Sequence, residues 1–273
     1  MDDGDTSNLR QFKQRITSYK RQLDCSSGNQ LDLIESRKAT TSKKLRKTEA
    51  VSSDEEQSAM FNLSSQTKLD HSFFDEDCST LSQKLLGCEL VRKLKDDSLV
   101  AGRIVETEAY LGGDDKASHS CGNKATERNR AMFMAPGTAY VYQIYGIHFC
   151  FNISSRGDGA AVLVRALQPT YGIDHMTKLR LNGKQKNKRN TAVEKLCNGP
   201  AKLCQALAID KTINCLDLCQ SNEIWIQPKP QDKQLELVSA KRIGVEYAGN
   251  YWASQPLRFY IKDNVCVSVT VKK

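Results

Sequence analysis

Polar and apolar residues alternate along 103–110, so that Ile104, Glu106, Glu108 and Tyr110 fall on one side of an extended chain and Val105, Thr107 and Ala109 on the other. The same period of two places Cys150, Asn152 and Ser154 together in HFCFNISS, and Ala161, Leu163 and Arg165 together in AAVLVRAL. Three predicted strands thus offer Glu108, Asn152 and Arg165 to one shared space. Any one of them alone would read as a solvated sheet face; their concentration points to a site.

The remaining pattern surrounds these strands with short elements. Residues 78–86 predict a helix capped by Ser79 or Asp77, with an apolar stripe at Leu81, Leu85 and Leu86 and a stop at Gly87. A hairpin is predicted from 89–95 and 99–110 about Asp96-Asp97-Ser98. A second, tighter hairpin is predicted within TAYVYQIYGIHF, where Gly146 supplies a positive φ and Tyr145 is lifted to the tip. Pro169 introduces helices over 171–181 and 200–207, the second with Gly199-Pro200 at its start. The tail reads as strands at 221–226, 235–243, 257–262 and 265–271. The expected fold class is α+β: a single domain over 67–273 with a curved, mostly antiparallel sheet, flanking helices and a protruding hairpin. Residues 1–66 are rich in Ser, Thr, Gln, Lys and Asp with few aromatics, and predict a disordered basic arm.

Charge adds a preference for polyanions. The net charge is +8, the first 66 residues hold 11 basic and 10 acidic side chains, and the remainder therefore carries +7. Basic residues cluster at Lys124, Arg128 and Arg130 and again at 184–189, Lys202 lies at the start of a predicted helix, and Lys43-Lys44-Leu45-Arg46-Lys47 has the form of an import signal. The acidic start and the lack of a long apolar run predict a soluble, intracellular protein. The ten cysteines include no CxxC pair and the four histidines are scattered, so reduced thiols, no metal and no cofactor are expected.

An enzyme that acts on a DNA base must extrude it and grip its faces with aromatic rings, and Tyr110, His119 and Tyr142 are suited to that. The runs RIVETEAYLGGDDKASHS, RNRAMFMAPGTAYVYQIYGIHFCFNISS, GDGAAVLVRAL, CNGPAKLCQALAI and PLRFY, in this order from about Leu69 onward, resemble the alkyladenine DNA glycosylases, also called 3-methyladenine or N-methylpurine DNA glycosylases. The resemblance implies a monofunctional enzyme of base excision repair, acting as a monomer in the nucleus on duplex DNA holding a damaged purine. It implies that Glu108 activates a water, with Arg165 orienting both and the backbone of Ile243 helping to hold it. Tyr110, His119 and Tyr142 would sandwich the flipped base, Ala117 and Leu163 would line its pocket, Asn152 would exclude guanine, and Tyr145 would fill the gap in the stack. Lys124, Arg128, Arg130 and Lys202 are backbone-contact candidates. Glu106 is the internal rival to Glu108. No lysine accompanies Glu108 in its motif, which favours direct hydrolysis over Schiff-base chemistry. The chain departs from the family pattern at Ser118, Cys121 and Ile147, which bears on lesion preference. A non-catalytic nucleic-acid-binding module and a formyl or acyl transferase are the alternatives.

Overall fold

Strand pairing is built on one long central segment. In the computed structural model, which describes residues 67–181, 192–228 and 235–271, the order is α1 (His71–Phe74), α2 (Cys78–Lys84), β1 (Glu89–Lys93), β2 (Leu99–Tyr110), β3 (Ala139–Ile144), β4 (His148–Ser154), β5 (Ala161–Tyr171), α3 (Ile173–Leu181), α4 (Pro200–Ala206), β6 (Ile224–Gln227), β7 (Leu237–Ala240), α5 (Asn250–Ser254) and β8 (Arg258–Ile261). The predicted arm and the basic run 184–189 lie outside the described residues. All strands join one open antiparallel sheet in the order β3-β4-β5-β2-β1-β6, with β8 pairing β2 and β7 pairing β8. This is the α+β architecture expected, with few helices.

β2 gives one edge to β5 from Ala101 to Tyr110 and divides the other, Leu99 to Arg103 pairing with β1 and Glu106 to Glu108 with β8. Two opposed irregularities accompany the handover: Val105 is extra on β2 between the pairs Ile104–Leu167 and Glu106–Ala166, and Arg165 is extra on β5 between Glu106–Ala166 and Thr107–Val164. A bulge bends its strand and re-aims a side chain. Ile104, expected on the face of the two acids, accordingly lies in the main apolar core with Val105.

The core gathers α1 and α2 through Phe74, Leu81, Leu85 and Leu86, the sheet through Val162, Val164 and Ile153, and α4 through Leu203, Cys204 and Leu207. Of the two cap candidates Asp77 serves, accepting from the Ser79 and Thr80 amides. Burial is complete at Leu81 and Leu85, and each such side chain contributes about 1.5–3 kcal/mol.

Two expectations need correction. Pro169 does not open a helix but lies inside β5, tolerated because the register slips by one residue between the pairs Gly102–Pro169 and Ala101–Tyr171. Residues 265–271 form no strand, although Val265, Val267, Val269 and Val271 alternate; Val265, Val269 and Val271 are exposed, and backbone groups here serve buried side chains instead.

The turn after β4 sets a stringent requirement. A Cβ added to Gly159 (φ 71) would stand 2.5 Å from the Ser120 Cβ, whereas one added to Gly113 (φ 50) meets nothing. Gly113→Ala should therefore cost about 1–2 kcal/mol, the left-handed penalty alone, and Gly159→Ala distinctly more. Urea unfolding midpoints check this; equal losses would show that the loops relax freely.

Candidate active site

In an antiparallel ladder, residues directly opposite one another project to the same face. Tyr140 on β3 stands opposite Asn152 on β4, Asn152 opposite Leu163 on β5, Leu163 opposite Glu108 on β2, and Glu108 opposite Arg258 on β8. One row across five strands thus carries two predicted pocket residues, the predicted catalytic acid, and two residues the sequence reading passed over. The next row adds Tyr142 opposite Cys150, and the row on the other side adds Tyr110 opposite Ala161 and Ala161 opposite Ser154.

Glu108 is fully buried. Its Oε2 accepts from the Tyr110 hydroxyl at 3.0 Å and from Arg165 Nη1 at 3.1 Å, and its Oε1 accepts from the Ile243 amide at 2.7 Å. Glu106, also fully buried, accepts from Arg165 Nε at 3.2 Å, Arg258 Nη1 at 2.9 Å and the Ser268 amide at 2.7 Å. Arg165 bridges the two acids from the face it shares with Leu163, the bulge setting it between the pairs Thr107–Val164 and Glu106–Ala166. The neighbouring Glu108 and Glu106 carboxylates, against the pull of burial, hold its guanidinium firmly protonated.

Aromatic walls flank the acid. His119 packs edge-on against Tyr142 with ring centroids 4.6 Å apart, and its Nδ1 pairs with the Tyr140 hydroxyl at 2.8 Å. At that separation His119 and Tyr142 make one wall, with no room for a base between them. Tyr110 supplies the other side: Arg242 lies 4.8 Å from its ring centre, and it packs with Ala117, Val245 and Ala248. Burial, and then the Arg128 charge, pull the His119 imidazole down to about 4, so the ring is neutral near pH 7. Burial pushes the Tyr110 and Tyr142 hydroxyls well above the phenol range. Asn152 is buried and donates to the Tyr140 carbonyl at 3.0 Å, which fixes its amide plane.

Two polar clamps place the loops. Asp115 forms a fully buried bidentate pair with Arg242 at 2.6 and 2.9 Å, and also accepts from the Leu111 and Ala117 amides. Asn129 is buried and ties the carbonyls of His119 and Lys124 to Thr126. Tyr140, Asp115, Asn129, Arg242 and Arg258 were absent from the sequence reading. Tyr140 alone had a signal, since it lies two residues from Tyr142 on the same face.

Tyr145 and Ile147 are exposed at the β3–β4 hairpin, 46% and 70% respectively. Ile144 accepts from the Ile147 amide across the turn, and both central residues have positive φ, 53° at Tyr145 and 70° at Gly146. The expectation assigned that conformation to Gly146 alone. Lys124, Arg128 and Arg130 are exposed; Arg128 lies over the Tyr142 ring at 5.7 Å, and Arg130 is 3.7 Å from Glu127. Lys202 is less open: its ammonium donates to Asn198 at 2.7 Å, and burial followed by Arg180 and Lys195 lowers its pKa. Among the described residues no helix is long and apolar enough to cross a membrane.

Residues 72–265 match the family described as methylpurine-DNA glycosylase (MPG). The chain is 49% identical over 206 residues to DNA-3-methyladenine glycosylase of Mus musculus, covering 74% of this chain and 61% of that protein. It is 48% identical over 205 residues to DNA-3-methyladenine glycosylase of Homo sapiens, covering 74% and 68%. A putative 3-methyladenine DNA glycosylase of Alkaliphilus oremlandii is 44% identical over 203 residues, covering 74% of this chain and 98% of that one. The chain thus spans about two thirds of the length of these mammalian relatives. A match of this extent, carried through every strand of the site, makes the chain a member of the methylpurine-DNA glycosylase family.

Proposed function

We propose that the protein is a monofunctional DNA glycosylase of base excision repair, which flips damaged purines out of duplex DNA and hydrolyses the N-glycosidic bond, leaving an abasic site. Its substrates are 3-methyladenine, 7-methylguanine, hypoxanthine and ethenoadenine. The observation that carries this is Glu108: a carboxylate at the base of an aromatic cleft, oriented by Arg165, the Tyr110 hydroxyl and the Ile243 amide. Hydrolysis passes through an oxocarbenium-like sugar, which a nearby anion stabilises and which a water, deprotonated by that anion, attacks. Glu108 fills both roles, and the Ile243 amide helps hold the water. Alkylated purines are cationic while attached to the sugar and leave as neutral bases, so they need little acid help.

Tyr110 covers one face of the flipped base, and His119 with Tyr142 the other. A neutral His119 suits this, because a cationic ring would repel a cationic 3-methyladenine. Asn152, held by the Tyr140 carbonyl, meets the 2-amino group of guanine, while Ala117 and Leu163 complete the lining. Tyr145 enters the stack where the base has left. Its positive φ supports that role, since a bulky residue in that conformation costs about 1–2 kcal/mol and such strain concentrates at functional positions. Lys124, Arg128, Arg130 and Lys202 contact phosphates. The protein acts as a monomer in the nucleus, with 43–47 as its import signal.

Glu108→Gln should retain binding to lesion DNA and lose about 10²-fold or more in single-turnover excision, the lower range of general-base assistance. Alkali cleavage of a duplex holding one hypoxanthine reads the abasic product, and undiminished excision would remove Glu108 from the chemistry. Tyr145→Ser should weaken flipping of a paired ethenoadenine, followed by its fluorescence, while altering excision from a bulge or mismatch much less. Equal losses on both substrates would assign Tyr145 to the pocket instead. Asn152→Ser should release undamaged guanine faster than the native protein does; an unchanged rate would show that the gate lies elsewhere.

A further inference from the structure

Outside the residues described so far, the fold assembles three metal-ligating side chains that the sequence keeps 146 and 148 positions apart: His71 on α1, and Asp217 and Cys219 on the turn before β6. Their donor atoms all lie within 4.8 Å of one another. The scattered histidines gave no sign of this, and it runs against the expectation of no metal.

Each donor is fixed by the same short segment. His71 Nδ1 stands 3.2 Å from the Pro136 carbonyl, the Leu218 amide donates to the Gly137 carbonyl at 3.0 Å, and Thr138 bridges to Asp217. Asp217 Oδ1 accepts from the Cys219 amide at 2.9 Å, which leaves Oδ2 facing His71 Nε2 at 3.3 Å. Gly137 makes room beside the thiol, since a Cβ there would come within 3.4 Å of the Cys219 sulfur. The helix that carries His71 is itself anchored, through the Asp70 cap and the fully buried Phe74.

The hydrogen bond to Pro136 decides the tautomer. A carbonyl only accepts, so Nδ1 donates and Nε2 is left facing the Asp217 carboxylate. A proton on Nε2 closes that contact as an ion pair, and a divalent cation can take the proton's place; an Nδ1–H bonded to a backbone carbonyl is the usual outer support of a metal-bound histidine. The spacing fits as well. With zinc-to-nitrogen and zinc-to-oxygen bonds of about 2.0–2.1 Å, the edge of a tetrahedron is about 3.3 Å.

We propose that His71 Nε2, Asp217 Oδ2 and Cys219 Sγ bind a zinc ion, with a water as the fourth ligand on the solvent side. The thiol gives up its proton to solvent as the metal enters. Mixed nitrogen, oxygen and sulfur donors suit this borderline-soft ion and not magnesium or calcium. The ion would clamp α1 to the loop before β3 and the turn before β6, and so act on stability and not on base removal.

The test uses the full chain with zinc in competition with a chromophoric chelator, and with cobalt(II) as the optical probe. The native protein should bind one equivalent and show the near-ultraviolet sulfur-to-cobalt band. Cys219→Ser should abolish that band, and His71→Ala and Asp217→Asn should each lower zinc affinity about tenfold or more. Cooperative melting of the metal-free variants distinguishes loss of a ligand from loss of the fold, and Cys219→Ser is the mildest change of the three. No tight zinc in the native protein, or unchanged affinity in all three variants, would overturn the proposal. So would zinc that survives all three changes but is lost in His119→Ala, which would place the ion in the base cleft.

Discussion

Two carboxylates on one strand face, both fully out of water, are tolerable only because one guanidinium lies between them. Glu106 and Glu108 are two residues apart and share a face, so their charges repel at short range, and taking each from water costs several kcal/mol. Arg165 offsets both through Nε and Nη1. It reaches both because alternation puts it on the face of Leu163, which stands opposite Glu108, and the bulge sets it between the pairs Thr107–Val164 and Glu106–Ala166, alongside both acids. Removing one partner of such a group leaves an uncompensated buried charge, typically a loss of about 3–5 kcal/mol.

The same network recruits distant chain. Arg258 reaches Glu106 from β8 and also donates to the carbonyls of Lys241 and Val269, while the Ser268 amide closes the other Glu106 oxygen. On the opposite side, the Arg242 side chain grips Asp115 and the amide of the next residue, Ile243, lands on Glu108. Consecutive residues thus couple two tasks. The clamp that places the loop carrying Ala117 and His119 also sets the donor facing Glu108, so wall and acid are positioned by one peptide.

What could be read from the sequence was local. Period-two alternation found β2, β4 and β5 and the faces they present, because side-chain direction along a strand needs no partner. It failed at 265–271, where four valines alternate but the Ser268 amide and the Val269 carbonyl are taken by Glu106 and Arg258 and so are lost to a ladder. It failed again at Ile104, since a bulge is fixed by the register between two strands and leaves no mark on either alone. Asp115 and Arg242 are 127 residues apart, and neither has neighbours that mark it as half of a buried pair. Motifs carried the catalytic assignments further than periodicity did, for they named Ile243 beside Glu108 without any account of the path between them.

Periodicity offered Glu106 and Glu108 as equals, and their surroundings separate them. The partners of Glu106 are Arg165, Arg258 and the Ser268 amide, which tie strand to strand and the tail to the sheet. Each acid accepts from three donors, so what separates the two is where those donors come from. Glu108 shares only Arg165 with Glu106. Its other donors, the Tyr110 hydroxyl and the Ile243 amide, belong to the aromatic wall and to the loop bordering the cleft, and Tyr110 is only partly buried. The proposed base pocket between Tyr110 and the His119–Tyr142 wall therefore lies beside Glu108, while Glu106, one pleat behind, keeps Arg165 in place for it.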